Sequence, residues 1–279
     1  MLLLPILWFL ILLAGAAGWQ AGKLPKGVAT ICAGFFCAIL VAGAALAQNA
    51  SRIPEWMISP IAGYLQSSWF APPAIALFLI GGRQAIIKAA QEGKPDSTNR
   101  TLLLLKALAI VAAASATGLA MDQLGWYSGV PADLQASNVD ENGVVRQTSM
   151  YTCGPSAAAT LLRKMGIQPD ATEAQLAPLC MTRRRDGATT LGIAIGLKTL
   201  AAPSGWRVRI VETDWEEFRR LKKPVLAAMN EHALVVMQTD PAKGVQVADP
   251  MSGMYWRTTS EFRAHFGNIA ICVYRDTYE

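Results

Sequence analysis

The sequence predicts two unlike halves: four membrane-spanning helices, followed by an α+β domain in which helices pack on an antiparallel sheet. Three observations predict it. From Met1 to Met121 acidic residues are scarce and long uncharged runs dominate, as in helices that face lipid. Beyond that point charge returns as in ordinary globular sequence. There, one apolar helical stretch is followed by short alternating stretches joined by short turns, the signature of antiparallel strands. Hydrophobic residues make up 52% of the 279 and charged residues only 16%, so a single soluble domain, with about a quarter charged, does not account for the composition.

In the first half, a hydrocarbon core of about 30 Å takes roughly 20 apolar residues in a helix. Residues 2–22 carry no charge and supply one span, and residues 27–47 a second. Residues 59–82 supply a third, kinked by Pro60, Pro72 and Pro73. Residues 101–121 supply the fourth, interrupted only by Lys106 near its start. Lysine and arginine collect in cytoplasmic loops. Lys23 and Lys26 separate the first two spans, Arg83, Lys88, Lys94 and Arg100 the last two, and the middle loop offers only Arg52. Four spans put both basic loops on the cytoplasmic side, which three would not. The chain then reads as a multi-pass protein of a bacterial plasma (inner) membrane, with the lipid bilayer as a partner and the soluble domain extracytoplasmic. A cleaved signal peptide ending near Ala14-Gly15-Ala16-Ala17 is the competing reading of the first segment, which lacks the basic start such peptides carry.

Residues 122–146 are polar, contain Gly125, Gly129, Pro131 and Gly143, and read as a linker; residues 147–279 form the domain. A helix is expected from Ser156 to Met165, ended by Gly166, with Cys153 at its start. That is where unpaired backbone N–H groups and the helix dipole favour a thiolate, the nucleophilic form. A buried structural cysteine is the bland alternative. Gln147, six residues earlier, can bring its amide to the same spot as an oxyanion donor. A second helix is expected over residues 189–201 and a third over 215–221 behind Asp214. Strands are expected over 206–211, 225–229, 232–238, 245–249 and 269–274. His232 opens one strand and Asp249 closes the next, so antiparallel pairing places them as direct or diagonal neighbours on one face. His265, ahead of the last strand, reads as structural.

Composition also excludes classes. The net charge of +5 is scattered apart from Arg183-Arg184-Arg185, with no aromatic-interleaved basic stripe, so no nucleic-acid partner is expected. Of five cysteines none forms a CxxC pair, which argues against a zinc ribbon or a thioredoxin-type site. In an oxidising compartment Cys180 and Cys272 are the expected disulfide. The spans lack the acidic or histidine residues of an ion relay, which argues against a transporter.

Gln147-x5-Cys153-Gly154-Pro155, a histidine opening a strand after Lys-Pro-Val-Leu-Ala, and Ala248-Asp249-Pro250 closing the next strand resemble the bacteriocin-processing, or double-glycine leader, peptidases. The resemblance spans residues 145–275. It implies a papain-like cysteine peptidase fold with Cys153 as nucleophile, His232 as general base and acid, Asp249 orienting the imidazole and Gln147 in the oxyanion hole. It implies a peptide or protein substrate, a thioester acyl-enzyme, and no metal or organic cofactor. The best-known members precede a transporter with a nucleotide-binding domain. This chain carries no GxxxxGK[ST] phosphate loop and its peptidase-like domain follows the membrane half, so free-standing relatives are the nearer match. The expected activity is that of a membrane-tethered cysteine endopeptidase. A thiol acyltransferase or amidase on the same fold, or a non-catalytic peptide-binding module, are the alternatives.

Overall fold

The computed structural model describes residues 13–48, 54–59, 71–91, 134, 138–183 and 187–275. The chain divides into two compact units, Met1–Gln48 with Tyr64–Asp122, and Asn49–Gly63 with Gln123–Glu279.

The first unit is helical over residues 13–21, over α1 (Lys26–Gln48) and over α2 (Ala71–Gln91). Gly18 lets the first of these approach α2 closely, since a Cβ there would lie 2.5 Å from the Ala76 carbonyl oxygen. The Arg83 guanidinium lies 4.6 Å over the Trp19 ring. Gln84 donates to the carbonyls of Gly22 (2.8 Å) and Leu24 (3.0 Å), which ties down the turn before α1. Along α1, Val28, Ile31, Phe35 and Ile39 recur at helical spacing and are exposed.

Among the described residues no helix is long and apolar enough to cross a membrane. The expected set of four spans is therefore not reproduced there. Residues 101–121 lie outside the described residues, as do residues 2–12 of the first span and 60–70 of the third. For the third, α2 supplies a physical reason: it runs on to Gln91 and so takes Arg83 and Lys88 into the helix, where the expected span stopped at 82.

The second unit is built on a six-stranded antiparallel sheet of order β1-β6-β2-β3-β4-β5. The strands are β1 (Arg207–Glu212), β2 (Val225–Met229), β3 (His232–Asp240), β4 (Gly244–Asp249), β5 (Gly253–Arg257) and β6 (Phe266–Tyr274). Successive side chains on a strand point to opposite faces, and both faces here are covered. Leu226, Val235, Ile271 and Val273 join a core with α3 (Cys153–Lys164), α4 (Glu173–Leu179) and α5 (Thr190–Ala201). Ala227, Leu234, Val236 and Ala270 join a second core with α6 (Trp215–Arg220) and α7 (Thr259–His265). In that second core the rings of Phe218, Phe262 and Phe266 pack together with centroids 4.6 to 5.5 Å apart.

Local chemistry sets the helix starts. Thr189, Asp214 and Thr258 each accept a backbone N–H from the first turn, and Thr258 with Glu261 completes a capping box. Three elements were not anticipated, α4, α7 and β5. The stretch read as a linker contributes to the core, for Val144 and Val145 are fully buried. Cys180 and Cys272 are both free. The expected disulfide is absent because Cys180 packs in the first core and Cys272 against the second, on opposite faces of the sheet.

One short piece of this unit comes from far upstream. Glu55–Met57 forms a 3₁₀ turn, and the Ile58 side chain after it is buried in the first core. Lys198 Nζ donates to the carbonyls of Glu55 (2.7 Å) and Ile58 (2.8 Å). Arg207 holds the Glu55 carboxylate at 2.7 and 3.0 Å, and the Tyr274 hydroxyl donates to its other oxygen.

Candidate active site

Cys153 is the first residue of α3, preceded by Thr152 as N-cap. Gly154 and Pro155 suit this end of the helix. A Cβ on Gly154 would lie 2.8 Å from Ile193 and 3.1 Å from Ala188, so glycine lets the helix end sit against α5. Pro155 falls in the first turn, where its missing N–H would have had no intrahelical partner.

His232 follows the two-residue turn Asn230-Glu231. Glu231 takes a φ of 56°, in the left-handed region that favours glycine. The Asn230 N–H donates to the His265 carbonyl at 2.9 Å and so anchors the turn to the end of α7. The ring of His265 itself makes a local contact, Nδ1 lying 3.0 Å from the Glu261 carbonyl.

Strand register brings the aspartate to the histidine. Val235 pairs with Ala248, so Asp249 falls opposite Leu234, a diagonal neighbour of His232. His232 Nε2 lies 2.9 Å from Asp249 Oδ1, and Cys153 is near enough to the ring to act on its charge. Burial pulls the imidazole pKa down, but hydrogen bonds and charge from Asp249 and Cys153 outweigh it and push it up to about 9. Asp249 is 2% exposed. Burial would raise its carboxyl, yet His232, the Met251 N–H and the Tyr255 hydroxyl hold it below its ordinary value. The Met251 N–H donates at 2.8 Å and Tyr255 at 3.2 Å, with the Arg257 guanidinium 3.8 Å from Oδ2. Arg257 also donates to the Tyr255 hydroxyl at 2.9 Å.

Gln147 lies on the loop that leads to Cys153. Its N–H donates to the Pro250 carbonyl at 3.0 Å, next to Asp249. Its side-chain Nε2 donates to the Ser149 carbonyl at 3.1 Å, and its Oε1 is buried with no protein partner among the described residues. Arg146 reinforces the link, donating to the carbonyls of Pro250 (3.1 Å) and Met251. The geometry thus joins His232 to Asp249 by a hydrogen bond, brings Cys153 near the imidazole, and sets the Gln147 backbone beside Asp249.

Tyr255, Arg257 and Glu173 were not foreseen. The first two sit on β5, where Met254-Tyr255-Trp256 between Gly253 and Thr258 carried a strand signal that could have found them. Arg183 lies in a short bridge with Gly187, while residues 184 and 185 of the basic run fall outside the described residues. Among the described residues no group of three or more His, Cys, Asp and Glu side chains could hold a metal ion.

Helices on both faces of an antiparallel sheet, with a helix-start thiol near a strand histidine, define an α+β domain of the papain-like kind. The profile of the peptidase C39 family matches residues 141–277, and the chain belongs to that family. An uncharacterized protein of Methanothermobacter thermautotrophicus is 31% identical over 122 residues, covering 43% of this chain and 80% of the relative. Another, of Methanothermobacter marburgensis, is 34% identical over 111 residues, covering 39% and 72%. Among solved structures, a double glycine motif protease from an AMS/PCAT transporter, in complex with the leader peptide, is 19% identical with a TM-score of 0.41 over 52% of this chain and 96% of that one. The peptidase domain of Streptococcus ComA is 21% identical with a TM-score of 0.42 over 47% and 97%.

Proposed function

We propose that the second unit is a cysteine endopeptidase acting on peptides or protein segments, and that the first unit holds it at a membrane. The observation that carries the activity is the meeting of Cys153, His232 and Asp249, with the carboxylate buried and bonded to an imidazole that also interacts with the thiol. In this reading His232 takes the Cys153 proton, and the thiolate attacks the scissile carbonyl. The oxyanion is met by the Gln147 amide and the Cys153 N–H. As the C–N bond breaks, His232 returns its proton to the leaving amine and a thioester remains. Water, deprotonated by His232, then attacks the thioester and releases the new carboxylate and the thiol. Asp249 keeps Nε2 engaged, so that the other ring nitrogen faces the thiol. Met251, Tyr255 and Arg257 hold the carboxylate in turn.

The membrane reading is supported by the exposed apolar row Val28, Ile31, Phe35 and Ile39 on α1. It is further supported by the basic residues Lys23, Lys26 and Arg83 gathered around the turn that Gln84 ties down. An apolar face ending in basic residues suits a bilayer and its cytoplasmic headgroups.

The activity is tested by alkylating Cys153 with iodoacetamide at mildly acidic pH, read by mass spectrometry. An ordinary thiol, with pKa near about 8.5, is almost wholly protonated there and reacts slowly. Fast labelling that collapses in His232→Ala is the expected result. Slow labelling in both proteins would overturn the assignment.

A further inference from the structure

Glu173 is a buried carboxylate that the scheme above does not use. It opens α4, is 1% exposed, and has no cation beside it among the described residues. A carboxylate removed from water without a counter-ion is unfavourable unless donors satisfy it. All of its donors come from one residue of the nucleophile loop. The Thr148 N–H donates to Oε1 at 3.0 Å and reaches Oε2 at 3.3 Å, and the Thr148 hydroxyl donates to Oε2 at 2.8 Å. Thr148 adjoins Gln147, whose own N–H is held by Pro250. Further along, Ser149 and Thr152 close the loop on themselves, the Ser149 N–H donating to Thr152 Oγ1 at 3.2 Å and that hydroxyl to the Ser149 carbonyl at 2.8 Å. Gln147 is therefore pinned on both sides, by Pro250, which directly follows Asp249, and by Glu173 through Thr148.

We infer that Glu173 is a positioning residue: it fixes the loop that carries Gln147, and so aims the oxyanion donor without touching substrate. Stabilising an oxyanion depends on donors held in place before charge develops, and a misplacement on the order of 1 Å costs roughly a hundredfold in rate. The inference rests on the peptidase reading and concerns one step of it, the formation of the tetrahedral adduct.

Two reagents separate that step from the reactivity of the thiol. With p-nitrophenyl acetate, the Cys153 thiolate adds to the ester carbonyl and an oxyanion forms. Its collapse expels p-nitrophenolate, read by absorbance, and leaves an acetyl thioester located by mass spectrometry. With iodoacetamide the same thiolate displaces iodide, and no oxyanion arises. In the full chain, Glu173→Gln should slow acetylation of Cys153 by about tenfold, a partial version of the loss on removing a donor. Its alkylation rate should stay within about twofold, because the Cys153–His232 pair is untouched. Gln147→Ala should show the same split, and the double variant should be no slower than Gln147→Ala alone, since both act through one donor. Thr148→Ser, which keeps the hydroxyl, should behave as wild type. Acetylation of Glu173→Gln at the wild-type rate, a parallel fall in both reactions, or additive losses in the double variant would overturn the inference. Wild-type acetylation no faster than that of Cys153→Ala would instead overturn the peptidase reading, and this inference with it.

Discussion

At the scale of single residues, the site is governed by how Asp249 balances its burial. A carboxylate almost out of water is held by four neighbours, the Met251 N–H, Tyr255, Arg257 and His232. This makes His232 a readable reporter. The chain has two histidines, so imidazole NMR resolves them readily. His232 should titrate near 9, whereas in Asp249→Asn burial would no longer be opposed by a carboxylate and its pKa should drop by more than one unit. A value near the ordinary 6.5 in the wild type would contradict the His232–Asp249 pairing. The same shift couples to stability. Because the folded-state pKa lies above the unfolded one, the contribution of His232 is fully present below pH 6.5 and is lost as pH rises through about 9. Denaturant titrations of wild type and His232→Ala should therefore converge as pH is raised across that window. Asp249 works in the other sense, its contribution being present above the ordinary carboxylate range and lost as pH falls through its depressed folded value.

At the scale of elements, most of the second unit was legible because its signals are local. Periodicity gave the helices at 153–164, 190–201 and 215–220, and alternation gave five of six strands. The diagonal placement of His232 and Asp249 followed from counting across one hairpin. What escaped were features set by distant partners. Tyr255 and Arg257 matter through a carboxylate on the neighbouring strand, and Glu173 through a loop 25 residues earlier. The free state of Cys180 and Cys272 depends on which face of the sheet each one meets. The turn at Glu55–Met57 is the extreme case, since nothing around Ile58 marks it as core of a domain that begins some eighty residues later. Ile58→Ala should destabilise the second unit by about 2–5 kcal/mol, the range for emptying a buried aliphatic site. Urea unfolding followed through the tryptophans of that unit would measure it. An unchanged midpoint would mean that the unit closes without this segment.

At the scale of the whole molecule, composition suggested a lipid-suited half ahead of a globular one, but it could not fix where helices begin and end. The run 59–82 looked like a span because it lacks charge, while α2 follows helical continuity past Arg83 and Lys88 to Gln91. Continuity of backbone hydrogen bonding, more than local polarity, decided that boundary. If the first unit holds the chain at a bilayer, the protein should stay with the membrane pellet through an alkaline carbonate wash and leave it only with detergent. Recovery in the carbonate supernatant would sink the membrane reading.

The order of the strands has a consequence for how this chain comes to be folded. β6 lies between β1 and β2, so the two flanking strands face an empty lane until the last strand has been made. Tyr274 also closes on Glu55 from 219 positions away. A ribosome that has just finished β5 holds a sheet with two open edges and an Ile58 that has no finished core to enter. Contacts of such separation are slow to close, and unpaired edges are where chains pair with the wrong neighbour. Until β6 is made this domain is therefore open to aggregation, and the strand that completes the sheet also seals in the segment of its unit that was made earliest.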